Sequence, residues 1–162
     1  MIGSSPKPRR NSLDRERGLA HLVRAREFLA GVQSWAESEA GIAAVALVGS
    51  HARGEATPGS DIDLILLAHD PASYLDPSTW IHAFGKPLRH EVEDWGIVTA
   101  IRVWYAGGPQ VEFGVTSLGW GADPADEGTA RVIRDGIRIL YETGQLLSSR
   151  LPSPGPSPCH SP

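Results

Sequence analysis

Two aliphatic runs, IAAVALV at 42–48 and IDLILLA at 62–68, flank a short polar stretch reading GSHARGEATPGSD. Runs of this length, bounded by glycine, read as buried strands. Ile42–Val48 breaks at Gly49, and Ile62–Leu67 follows a TPGS turn. The second strand is unusual because Asp61 and Asp63 stand at its entrance on either side of Ile62. Side chains alternate along a strand, so both acids face one way while Ile62 and Leu64 face the other. Two like charges at about 4 Å cost on the order of 4 kcal/mol at an effective dielectric near 20. A divalent cation reverses the sign of that term. Mg²⁺ in particular favours a few carboxylates together with substrate phosphates over a full protein cage.

The stretch before the acids supplies a partner for such a cation. Gly49 lets backbone approach a ligand closely. Ser50 offers a hydroxyl, and a helix starting there would turn free N–H groups toward a phosphate. Arg53 stands beside this turn, placed equally well for a phosphate, for Glu55 or for solvent. Gly49, Ser50, Arg53 and Ser60 are the residues expected to hold a nucleotide; His51, without a second ligand, is not expected to bind metal. Carboxylates and a phosphate turn this close together describe a site for a metal-bound nucleotide.

The rest of the chain reads as one α+β domain. Leu22, Ala25, Phe28, Leu29, Val32, Trp35 and Ala36 recur at helical spacing within a helix from about Leu13 to Ala40, with Gly41 as its stop. DPSTWIHAFG suggests a short helix capped by Ser78 and ended by Gly85. RHEVEDWG shows no strand alternation and reads as a loop. Ile97–Tyr105 and Val111–Ser117 flank AGGPQ as a hairpin. A helix from about Pro124 to Asp135, capped by Asp123, and a short strand Ile137–Tyr141 close the domain. A mixed central sheet flanked by helices, an α/β sandwich, follows. The expected divisions are an N-terminal arm over 1–12, a folded domain over 13–147 and a Pro/Ser-rich tail over 148–162, the two ends being too polar to order themselves.

The segment VGSHARGEATPGSDIDLILL resembles the signature of the DNA polymerase β-like nucleotidyltransferase superfamily: a Gly-Ser pair, then about ten residues, then Asp-x-Asp in a hydrophobic strand. Ten residues separate Ser50 from Asp61 here. The wording is especially similar to minimal nucleotidyltransferase domains and to aminoglycoside nucleotidyltransferases. The resemblance implies a third carboxylate on a later strand. Glu112 in QVEFGV fits, flanked by Val111 and Phe113 on the opposite face; Glu91, Glu93 and Asp94 compete from the expected loop. It also implies transfer of a nucleoside monophosphate, AMP from ATP, to an acceptor hydroxyl. Asp61, Asp63 and Glu112 would serve as catalytic and metal-binding residues around two Mg²⁺ ions. Glu112 could be metal ligand, general base or both.

Composition narrows the remaining roles. A net charge of −4 argues against a general nucleic-acid binder. The single cysteine, Cys159, excludes an intrachain disulfide, and its neighbour His160 does not complete a metal site. The start lacks the apolar core of a secretory signal, and the longest aliphatic run is too short to cross a bilayer. A cytoplasmic location with no membrane partner is the expectation. Trp80, Trp95, Trp104 and Trp120 read first as core or rim and only second as stacking platforms. Arg131, Arg134 and Arg138 read as a solvated face. The acceptor is open between a small molecule such as an aminoglycoside-like antibiotic, whose pocket a homodimer would complete, and a helical partner protein of the antitoxin type. A non-catalytic nucleotide-binding module is the third alternative.

Overall fold

The computed structural model describes residues 10–123 and 125–152. Pro124, Cys159 and His160 lie outside them, as do most of the expected arm and tail. Six strands form one sheet: β1 (Ile42–Val48), β2 (Ile62–Ala68), β3 (Pro87–Asp94), β4 (Val98–Tyr105), β5 (Gln110–Ser117) and β6 (Arg138–Glu142). Their order across the sheet is β3-β4-β5-β2-β1-β6. Every pairing is antiparallel except β2 with β5. Among the described residues three α-helices accompany it, α1 (Arg10–Ser38), α2 (Gly49–Arg53) and α3 (Glu127–Asp135). The α+β sandwich expected from the sequence is what forms.

Strand alternation divides the core in two. Ile62, Leu64 and Leu66 of β2, with Val111, Phe113 and Val115 of β5, face α1 and join its buried stripe of Ala25, Phe28, Leu29, Val32 and Ala36. Trp80 and Phe84 complete this layer against Phe113, with ring centroids 4.9 and 5.6 Å away. The opposite face carries a smaller cluster around Ala44, Ala46, Leu67, Trp120 and Leu147, onto which Val132 and Ile133 of α3 pack. Arg150 donates to the carbonyls of Leu118 and Trp120 at 2.7 Å, so the packed chain continues past residue 147.

Several local expectations are corrected. RHEVEDWG is not a loop: Pro87–Asp94 is the edge strand β3, paired along its length with β4. Seven of its eight residues are exposed, so neither face is buried enough to impose apolar alternation on the sequence. The helix expected from Ser78 is two 3₁₀ turns, Pro77–Thr79 and Ile81–Phe84. Asp76 rather than Ser78 is the cap, its carboxylate accepting from the Ser78 N–H. Likewise α3 starts at Glu127 and is capped by Asp126, which accepts from the Thr129 N–H at 3.0 Å, instead of by Asp123. Both corrections replace one plausible cap with another nearby, a choice that only the path of the preceding chain decides. Leu22, placed in the α1 stripe, is 46% exposed, because the packed part of the helix begins at Ala25.

Candidate active site

The acids at the head of β2 and the glutamate of β5 come together through strand register. β2 and β5 run parallel with Asp63 directly beside Glu112. Paired residues in a sheet share a face, so both carboxylates point to the α3 side, away from the α1 core. Asp61, two residues earlier on the same face, lies next to Gln110, whose amide Nε2 donates to its Oδ2 at 3.1 Å. On the far side of Glu112, β4 contributes Arg102 in direct register. Arg102 Nη2 donates to Glu112 Oε2 at 2.7 Å.

Like charge is concentrated at Asp63. Burial, and then the neighbouring Glu112 and Asp61, push its carboxyl up from 3.8 to about 6, against a smaller opposing influence of Arg102. Each cause disfavours a second or third negative charge in a partly enclosed place. Among the described residues no three His, Cys, Asp or Glu side chains converge as a ready-made cage for an ion, and one oxygen of Glu112 is taken by Arg102. The donor set nevertheless suits a hard divalent cation: oxygen ligands only, on one face, with a carboxyl whose proton affinity is raised by burial and by its like-charged neighbours.

The turn joining β1 to β2 stands against these acids. Gly49 follows β1 with φ of +71°, a conformation other residues adopt at a cost. A Cβ there would collide with an Asp63 carboxylate oxygen. Gly49 is therefore required twice, by its backbone and by the carboxylate packed on it. α2 is a single short turn, closed by Gly54 in the left-handed region and by the Glu55 N–H donating to the Ser50 carbonyl at 2.9 Å. Arg53 turns to Glu55 at 3.0 Å, one of the alternatives its sequence position left open. Ser60 Oγ accepts from the Thr57 N–H at 2.8 Å and so closes the TPGS turn that delivers Asp61.

The competing acids fall elsewhere. Glu91 sits opposite Arg102 and Glu93 opposite Ala100 on β3, two strands farther from β2 than β5 is. Asp94 accepts from the Gly96 N–H at 2.8 Å in the β3–β4 turn. His51 packs toward α1. Its ring lies 5.7 Å from that of His21 on α1, and burial lowers its pKa. Arg138 is paired in register with Leu47, on the α1 side. Arg131 pairs with Glu127.

A cleft of about 330 Å³ opens beside Asp63 and Glu112, walled by Ile65, Val98, Ala100, Gly114, Trp120 and Val132 and bordered by Trp95 and Ile97. Trp120 and Trp80 are core residues; Trp95, at the tip of the β3–β4 turn, is 68% exposed. Arg89 stacks on Trp104, its guanidinium carbon 3.8 Å from the ring centroid. Sequence reasoning missed Gln110 and Arg102. Gln110 was findable, since it precedes Glu112 by the two residues that separate Asp61 from Asp63. Arg102 carried no such signal, because its place depends on the β4–β5 register.

Residues 29–101 match the family model of the nucleotidyltransferase domain. The match runs from the packed part of α1 into β4 and includes Gly49, Ser50, Asp61 and Asp63. Over that segment the chain is similar to the nucleotidyltransferase domain, in line with the resemblance carried by its Gly-Ser and Asp-x-Asp residues. Among solved structures, an aminoglycoside 6-adenyltransferase from Bacillus subtilis aligns at 15% identity over 51% of this chain and 31% of that one, with a TM-score of 0.41. The aligned part is less than a third of that enzyme's length. No curated protein matches the sequence.

Proposed function

We propose that this domain transfers a nucleoside monophosphate, AMP from ATP, to an acceptor hydroxyl. The observation that carries the reading is the parallel β2–β5 register, which sets Glu112 beside Asp63 and leaves three carboxylates on one face next to the Gly49–Ser50 turn. Asp61, Asp63 and Glu112 would hold the Mg²⁺ ions. When bound, those ions would neutralise charge on the attacking and leaving oxygens of an in-line displacement. The chain's own groups do the rest. The turn at Gly49 and Ser50 receives the outer phosphates, with Ser60 holding the approach to Asp61 and Arg53 free to exchange Glu55 for phosphate. The acceptor oxygen forms a bond to the α-phosphorus, the α–β phosphoanhydride bond breaks, and pyrophosphate leaves. Glu112, in register beside Asp63 on the neighbouring β5, is the group suited to take the acceptor's proton. The apolar cleft beside it gives the acceptor's body a water-poor place to lie.

The test is transfer of label from α-labelled ATP, GTP, CTP and UTP with Mg²⁺ to a mixed panel of aminoglycosides and candidate proteins. Transfer lost in Asp61→Asn and Asp63→Asn supports the assignment; full transfer in either variant removes it. A helical protein partner is the second reading. It is favoured by the unpacked first half of α1, where Leu13, Leu19, Leu22 and Val23 are 46–63% exposed. Co-expression with a small helical protein, followed by its mass change on incubation with ATP, separates that acceptor from a drug.

A further inference from the structure

Arg102 is a charged residue of this site that neither the motif nor the proposed reaction uses. It lies in the row Asp63, Glu112, Arg102, one residue from each of three adjacent strands. Its Nη2 holds one oxygen of Glu112 at 2.7 Å, with each side chain about one third exposed. Its Nε is buried and has no hydrogen-bond partner among the described residues. The guanidinium is thus committed to Glu112 by one edge only, and Asp61 and Glu93 both lie near enough to act on its charge.

We propose that Arg102 is a positioning residue that serves as a resident counter-ion to Glu112 and competes with a divalent cation for it. The proposal rests on the reading of Asp61, Asp63 and Glu112 as cation ligands. Without an ion, three carboxylates on one face repel one another, and Arg102 offsets part of that repulsion. An ion approaching Glu112 meets a fixed positive charge and must displace it or share the carboxylate with it. Arg102 therefore keeps the carboxylate face intact in the empty protein and raises the cation concentration at which Glu112 is engaged. A nucleotide that arrives with its own cation meets this barrier less than a free ion does. A purely supporting role for Arg102, holding Glu112 in place for the ion, predicts the opposite sign for its removal.

The experiment is a titration of the full chain with Mn²⁺ as the only probe, following the free-ion signal by electron paramagnetic resonance. It uses wild type, Arg102→Gln, Arg102→Lys and Asp63→Asn, each checked for folding by circular dichroism. Arg102→Met, which keeps part of the aliphatic stem, replaces the glutamine variant if that one does not fold. Removing the charge is expected to tighten Mn²⁺ binding roughly three- to fivefold, the size of one partly exposed ion pair. It should also lower the melting temperature of the metal-free protein and enlarge the rise that Mn²⁺ produces. Arg102→Lys, which keeps the charge, should stay within about twofold of wild type. Unchanged or weaker Mn²⁺ binding in Arg102→Gln overturns the proposal. If Asp63→Asn binds Mn²⁺ as wild type does, or wild type binds none, the carboxylate reading itself fails, and the proposal with it.

Discussion

The two faces of the sheet are built from the same strands under opposite rules. On the α1 face, Phe113 and Leu64 are buried among aromatic and aliphatic side chains, and the Tyr105 hydroxyl and the Trp80 indole are each hydrogen-bonded to a backbone carbonyl. Tyr105 donates to the Ile81 carbonyl at 2.8 Å and Trp80 to the Tyr74 carbonyl at 2.9 Å. On the other face, their immediate neighbours Glu112 and Asp63 crowd like charges together beside an apolar cleft. One side gains free energy by excluding water, while the other gives some up by crowding like charges in a partly enclosed place. Adjacent residues of a single strand should therefore respond in opposite ways to substitution.

The largest contrast is at β5. Phe113→Ala removes a fully buried ring and should cost about 3–5 kcal/mol in urea unfolding. Glu112→Gln, one residue away, should change stability by less than about 1 kcal/mol while removing most of the turnover. Equal stability losses at the two positions would erase the distinction between the faces.

Gly49 tests the contact between the turn and the carboxylates. Gly49→Val forces a branched residue into the left-handed region and against Asp63. A loss of about 2–3 kcal/mol is expected, together with weakened Mg·ATP binding by calorimetry. Unchanged nucleotide affinity would put the phosphates elsewhere.

Asp63→Asn should move stability the other way. The folded carboxyl takes its proton near 6 and the unfolded one near 3.8, so folding disfavours the ionised form. The wild type accordingly loses stability as pH rises through that interval. Above it, the asparagine variant should be more stable by on the order of 1–2 kcal/mol once solvent screening at this partly exposed group is discounted. Its advantage should vanish below about pH 4, and transfer should be lost at every pH. Melting curves from pH 3.5 to 8 without metal measure this; an advantage that grows toward low pH would contradict the crowding of charge at Asp63.

The smallest effect is expected at Ser50. Ser50→Ala should weaken nucleotide binding by about 1 kcal/mol, one hydrogen bond, with little change in melting temperature. A loss of several kcal/mol would make the hydroxyl a principal phosphate contact.

What the sequence determined by itself was local and periodic. The aliphatic runs specified β1 and β2, and the alternation in IDLILL put Asp61 and Asp63 on one side. QVEFGV offered Glu112 with apolar neighbours facing away. These readings hold because a strand's two-residue period and a turn's glycine are properties of a few consecutive residues. The edge strand β3 was not legible, since an exposed strand needs no apolar pattern, and Ser78 and Asp123 were outcompeted as caps by Asp76 and Asp126. Tertiary structure alone decided which strands lie side by side. The parallel pairing of β2 with β5 brings Glu112 to Asp63 across 49 residues, and β4 brings Arg102 to Glu112 from ten residues before it. Register between distant strands is fixed by how two faces bury their apolar side chains at once, a condition on the whole sheet that no single segment carries.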